Sequence, residues 1–570
     1  MAGRGTPAWG SAASGGAAPA RGGAAPGGAA ASGGGAPASG GSAPDGGAKP
    51  GGGPAAGGGG ALKRRAVGAL RSLRPVPPTR GDLVAGVSVA LVLVPQALAY
   101  AELAGVPPVH GLYAAAAAPI AAALVGSSPY LQTGPVALTS LLTFGALAPI
   151  VPAGSVAFAS HAALLALLVG VARLLLGLLR WGAVAYLMSL PVVTGFTAAA
   201  AILIVASQVP SLVGAGSDAL SPAVAAADVL TQPQHWQLGA ILIGLVTVAV
   251  VVLGRKISVV FPWMLLATVA GLAVSAFGLV RVPVVGDIPS GLPSITLGLP
   301  WHAVPDMALA AVVIAVVGFA EPASIARKYA AADRRPWNPH LEFVGQGLAN
   351  IGAGLAGGYP AGGSFSRSAL NRLAGARTRW SGAITGAVVL GVLPFVGVLG
   401  ALPKAVLAGL VIVAAISLVE ISAFRDYWYH SRAQFLVAVP TFVATLVSAP
   451  RVERGLLIGV VLAMAVHLWR ESRLDVDSWR DGDTLHVRPQ GVLYFGSAPA
   501  LETRLRALLA DNPDATRVSI DLHRLGRLDL TGLYVLRGVA EQIRDSGADV
   551  EFASIPPHAR DRAGAVLGDC

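Results

Sequence analysis

Two polar side chains stand where an apolar chain has least use for them. Arg367 lies in "PAGGSFSRSALN", and residues 343–366 before it carry no charge. Glu321 lies in "MALAAVVIAVVGFAEPASIARKYA", after the uncharged run 307–320. A membrane span needs about 20 residues, so a span built on that run extends past Glu321 and encloses it. A guanidinium set among glycines and serines suits an oxyanion, through charge-assisted hydrogen bonds. An intramembrane carboxylate suits protons or sodium. Each side chain also has a plainer explanation. Arg367 snorkels to a headgroup while the glycines allow close helix packing; Glu321 is an interfacial acid paired with Arg327 or Lys328.

Both side chains depend on where the backbone breaks. Irregular backbone at membrane depth is tolerated only where protein or a water-filled cavity buries it. "SSPYLQTGPVALTSLL" holds one break, where Thr133, Gly134 and Pro135 open a helix, Thr as cap and Pro in the first turn. "PAGGSFSRSALN" holds the other, with Ser364 or Ser366 capping a short helix that ends near Gly375. Measured from Asp82 and from Pro305, the two breaks occupy corresponding places, at about the third span of each half. Interrupted segments at matching positions point to a midplane site between inverted repeats. Two facing helix N-termini present free N–H groups and partial positive charge, an anion trap to which Arg367 adds.

These elements require a membrane protein. Hydrophobic residues make up 54% of the 570 and charged residues 12%, against roughly 25% charged in soluble domains. Residues 103–172 carry no charge at all. The organisation expected is a disordered Gly/Ala/Pro-rich tail (1–60), a basic interfacial segment (61–82), a transmembrane region (83–470) and a soluble domain (474–570). The net charge of +11 is read as positive-inside topology rather than nucleic-acid binding, because the basic residues flank the spans. "RKYAAADRRPWNPHLE" and "FRDYWYHSRAQ" mark cytoplasmic edges; "VPVVGDIPSGLPSITLGLP" suits the opposite side. A cytoplasmic N-terminus and soluble domain require an even number of spans, about fourteen. No signal peptide is recognisable.

The soluble part reads as a small α/β domain: "TLHVRPQGVLYFG", "RVSIDLHRL" and "DVEFASI" as strands, "APALETRLRALLAD" and "LTGLYVLRGVAEQIRDSG" as helices. The one cysteine, Cys570, excludes an intrachain disulfide and any cysteine-based metal centre. No catalytic triad, phosphate loop or metal cluster is visible. An enzyme is not expected, and neither is a cofactor.

With "PQALAYAELAGVPPVHGLY" (95–113), "VVTGFTAAAAILIVASQ", "GDIPSGLP", "NPHLEFVGQGLANIGAG" and "GGSFSRSALN", the chain resembles the sulfate permease (SulP) family of anion transporters over about residues 70–570. Its C-terminal domain resembles the STAS domain these transporters carry. The resemblance implies fourteen spans in a seven-plus-seven inverted repeat, forming core and gate domains, in a homodimer that works by an elevator-like movement in the cell membrane. It implies an anion held near Pro135, Val136 and Ala137 on one side and Phe365, Ser366 and Arg367 on the other, with Gln96 and Tyr100 lining the site. The acid matched by Glu321 is associated with proton coupling in sulfate-type members, so proton-coupled sulfate uptake is favoured. "LDLTGLYVL" resembles the STAS phospho-acceptor loop, with Asp529 and Thr531; alternatively Thr531 only caps the helix that follows. Another anion (bicarbonate, a dicarboxylate or chloride), a membrane-tethered STAS signalling protein and a nucleobase permease are the competing readings. Broken helices argue against a mere anchor, and the signature runs argue against the nucleobase permease.

Overall fold

The computed structural model describes residues 77–182, 189–258, 261–295 and 297–568. The tail 1–60 and residues 61–76 of the basic segment lie outside them. Thr79 opens the first helix, α1 (Arg80–Ala104), through a capping box: its hydroxyl accepts from the Asp82 N–H, and Asp82 reaches back to the Thr79 N–H. Gly105, in the left-handed region, closes α1. There follow α2 (Pro108–Val125), β1 (Thr133–Gly134), α3 (Ala137–Leu147), α4 (Val156–Leu178), α5 (Leu190–Val213), α6 (Pro222–Leu230), α7 (Leu238–Ile257) and α8 (Trp263–Ala276). The second half runs through α9 (Val304–Ala332), α10 (Pro339–Leu355), β2 (Gly362–Gly363), α11 (Phe365–Leu373), α12 (Trp380–Val392), α13 (Lys404–Ile416), α14 (Ile421–His430), α15 (Arg432–Val447) and α16 (Val452–Glu471). Among the described residues nine helices are long and apolar enough to cross a membrane, and α3, α8 and α15 are shorter apolar helices. The chain is a polytopic α-helical membrane protein with a C-terminal α/β domain.

The helices pack in two groups. In one, α10 lies against α4 and α2, α12 against α1 and α2, and α9 against α4. In the other, α13 lies against α5 and α7, and α15 against α5 and α16. Each group draws on both halves of the chain. The helices of the first group approach closely because small residues face backbone: a side chain at Gly354 would meet the Ala163 carbonyl oxygen at 2.7 Å. Fewer contacts join the groups, chiefly of α1 with α13 and α8 and of α3 with α5 and α16.

The C-terminal domain is built on β3 (Asp475–Asp481), β4 (Thr484–Leu493), β5 (Arg517–Asp521), β6 (Leu525–Leu528) and β7 (Asp549–Ala553). Its helices are α17 (Ala498–Asp511), α18 (Leu530–Asp545) and α19 (Arg560–Leu567). The strand order is β3-β4-β5-β7, with β6 also on β4. β3 is antiparallel to β4 and the other pairings are parallel. Of "RVSIDLHRL" only Arg517–Asp521 forms the expected strand, β5, and the separate β6 begins at its last residue, Leu525. β3 escapes sequence reading because its burial pattern is almost wholly exposed.

The capping expectation at Thr531 is corrected. Asp529 is the N-cap of α18 and its carboxylate accepts the Gly532 N–H at 2.7 Å, while Thr531 is exposed as the second residue of the helix. Asp529→Ala should destabilise the helix start by about 1 kcal/mol; Thr531→Ala, a surface change, should stay within about 0.5 kcal/mol. Hydrogen exchange on the full-length protein reads the difference at the Gly532 amide. Equal exchange in the two variants would remove Asp529 as the cap.

Candidate functional site

The two breaks meet. β1 and β2 form an antiparallel pair, Thr133 opposite Gly363 and Gly134 opposite Gly362. A helix starts just beyond each strand, so α3 and α11 leave the ladder in opposite directions with both N-termini beside it. The first opening differs from expectation. Val136, not Thr133, is the N-cap of α3, and no side chain caps that helix. Thr133 is fixed in the ladder, where its hydroxyl accepts from Gln346 Nε2 at 2.7 Å. Pro135, Val136 and Ala137 are buried at the start of α3, whose first-turn N–H groups have no intrahelical acceptor.

The second opening is capped by Ser364, whose hydroxyl accepts the Arg367 N–H at 3.4 Å. α11 ends at Leu373, short of Gly375. The Phe365 N–H donates to Glu321 Oε1 at 3.2 Å, which seats the α9 carboxylate on the α11 N-terminus. Ser366 is exposed, and its hydroxyl lies 3.3 Å from that of Ser364.

Arg367 is 1% exposed, so it does not snorkel to a surface within this fold. Its Nη1 donates to Gln96 Oε1 at 3.3 Å; Nε and Nη2 are buried without a partner. A methyl group added to Gly134 would lie 3.6 Å from Nη2, which places the guanidinium over the strand that leads into α3. A buried cation with two unused donors is costly unless an acceptor comes to it. Glu321 and Arg367 interact electrostatically but form no ion pair, and Tyr100, also buried, feels both charges. Gln96 completes a chain across to α8 by donating from Nε2 to Met264 Sδ at 3.1 Å.

The frame around these groups is polar and fully buried. Asn350 holds Ala361 by both its N–H and its carbonyl, at 2.9 and 3.1 Å. Arg173 of α4 donates to the carbonyls of Ala315, Ala361 and Ile314 at 3.1, 2.9 and 3.2 Å, tying α4 to α9 and to the residue before β2. Asp82 accepts from the Arg377 and Thr378 N–H groups, each at 2.8 Å, and so fixes the start of α1 to the turn after α11. A cavity of about 240 Å³ borders the site, lined by Ser366 and Arg367 of α11, Val92 of α1, Met264 and Trp263 of α8, and Arg255 of α7 among others.

Residues 79–441 match the sulfate permease family, and residues 477–565 match the STAS domain. The chain belongs to the sulfate permease family. A probable sulfate transporter of Mycobacterium tuberculosis is 35% identical over 399 residues, 68% of this chain and 69% of the relative. The chloroplastic sulfate transporter 4.1 of Arabidopsis thaliana is 33% identical over 457 residues, 75% and 66% of the two chains. The sodium-independent sulfate anion transporter of Bos taurus is 29% identical over 520 residues, 83% of each. Two solved structures share the fold. Murine solute carrier 26 member A9, an anion transporter in the inward-facing state, has TM-score 0.79 and 19% identity over 90% of this chain and 92% of that one. The transmembrane domain of the cyanobacterial bicarbonate transporter BicA has TM-score 0.58 and 24% identity over 67% and 97%. This member of the family is thus a multi-pass membrane transporter with a STAS domain, and not an enzyme.

The structure gathers Gln96, Tyr100, Pro135, Val136, Ala137, Glu321, Phe365, Ser366 and Arg367 around the β1–β2 ladder. Asp529 and Thr531 lie in the STAS domain, at the start of α18. Arg173 and Arg255 did not figure among the expected residues. The signal for Arg173 was available: it interrupts an apolar run in "LLVGVARLLLGLL".

Proposed function

We propose that this chain is a secondary active anion transporter that takes up sulfate together with protons. The carrying observation is the buried Arg367 guanidinium, with two unused donors beside two helix N-termini and the Glu321 carboxylate bound to one of them. Such a group supplies directed N–H donors and fixed positive field for a tetrahedral divalent anion, and a carboxylate close enough to share its charge state. The printed names of the relatives above, sulfate transporters from a bacterium, a plant and a mammal, support sulfate as the substrate. The matching helix breaks at β1 and β2, one in each half, and the two packing groups joined by fewer contacts support the reading of about fourteen spans in two inverted halves with an elevator-like exchange of access. We place the basic N-terminal flank and the STAS domain in the cytoplasm, the chain in the cell membrane, and the working unit as a homodimer. Thr531, exposed beside the Asp529 cap, is the position where the STAS domain could accept a phosphate.

The test is uptake of labelled sulfate into proteoliposomes under an imposed inward proton gradient, with bicarbonate and fumarate in parallel. Sulfate should accumulate, and faster with an acidic exterior. Uptake of bicarbonate or fumarate without sulfate would reassign the substrate; sulfate uptake indifferent to the gradient would remove the proton.

A further inference from the structure

We infer that Arg255 is a second cationic contact for the anion, made from the opposite packing group. The inference rests on the anion-transport reading above and adds a residue to it. The cavity of about 240 Å³ is lined on one side by Ser366 and Arg367 and on another by Arg255, in the last turn of α7. Arg367 lies on α11, which packs on α1 and α9 of the first group, and Arg255 lies on α7, which packs on α13 of the second, so the cavity lies on the boundary between the groups. Arg255 is half-buried and forms no ion pair with any described carboxylate, whereas its neighbour Lys256 is exposed and does not line the cavity. Much of the remaining wall is apolar: Val92, Met264 and the Phe261–Trp263 ring pair, with centroids 4.4 Å apart. Trp263 is pinned by its indole N–H to the Ser258 carbonyl at 2.8 Å. Apolar walls lower the local dielectric, so two cations across one cavity act strongly on an anion between them.

A plainer role exists. A cation in the last turn complements the helix dipole and marks the membrane edge. That role does not depend on the valence of a bound anion. Coulomb energy does: a divalent anion feels twice the interaction of a monovalent one, so the fold-change for sulfate should be about the square of that for chloride.

The experiment measures equilibrium binding of labelled sulfate and labelled chloride to the purified full-length protein in detergent, at low and high ionic strength. Arg255→Gln should raise the sulfate Kd about 5–10-fold and the chloride Kd about 2–3-fold at low ionic strength, with both effects shrinking as salt is added. Arg255→Lys should retain most of the affinity. Lys256→Gln removes an equal charge from the exposed neighbouring position and should change neither Kd. Equal fold-changes for the two anions, or the same loss in the Lys256 variant, would overturn the assignment. An Arg255→Gln protein that binds sulfate as the wild type does, while Arg367→Ala does not, would sink Arg255 alone. Failure of the wild type to bind either anion would sink the anion-site reading beneath it.

Discussion

Glu321→Gln should uncouple transport from protons while leaving anion exchange in place. The glutamine keeps a carbonyl oxygen where Oε1 accepts the Phe365 N–H, so the seat of α9 on the α11 N-terminus survives. What it loses is the exchangeable proton. On the proposed mechanism, a divalent anion near Arg367 in the wild type should bring negative charge toward the carboxylate and favour its protonated form. By reciprocal linkage the proton then favours the bound anion, and a proton gradient can drive uptake. The measurement is labelled-sulfate influx at two external pH values with internal pH held fixed. The ratio of the two rates should exceed one in the wild type and fall to about one in the variant. A variant that keeps the wild-type ratio would mean that the coupling proton resides elsewhere.

Arg367→Ala should weaken sulfate binding by roughly 1–3 kcal/mol, about 5–150-fold, as expected for a lost charge-assisted contact. Among the described residues Arg367 is the one cation with buried donors left without a partner, Nε and Nη2, the latter beside Gly134 of β1. Arg367→Lys should keep part of the affinity, since it restores the charge but not the planar fork that reaches Gln96 while leaving Nε and Nη2 free. The preference between divalent and monovalent anions should shift in the lysine variant. Binding by the alanine variant at wild-type affinity, measured by titration of the purified protein, would leave the α3 and α11 N-termini as the whole trap.

Much of the site was legible because membranes penalise two things that a sequence displays: broken backbone and buried charge. The breaks near Gly134 and Gly363 and the charges Glu321 and Arg367 each stood out against apolar surroundings. What could not be read was partnership over long sequence distance. Nothing local to Thr133 says that its hydroxyl meets Gln346 or that it pairs with Gly363, so it passed for a helix cap. Arg255 carries no local sign of a role, because only the packing of α7 and α8 beside α11 brings it to the cavity. In the STAS domain, Asp529 and Thr531 are both plausible caps by residue type. The choice is made by backbone geometry, extended at Asp529 and already helical at Thr531. The strands and helices with alternating or amphipathic patterns were recovered. β3, exposed along almost its whole length, offers no such pattern.

The pairing of Thr133 with Gly363 and of Gly134 with Gly362 has a thermodynamic consequence. On the elevator reading proposed above, two half-sites cross-linked by backbone hydrogen bonds should travel together, and the ligands they supply should be the same whichever face of the membrane is open. The intrinsic affinity of that part of the site should then be equal from inside and outside. On the same reading, any measured asymmetry between loading and release should come from side chains on the other packing group that touch the ion on one face only.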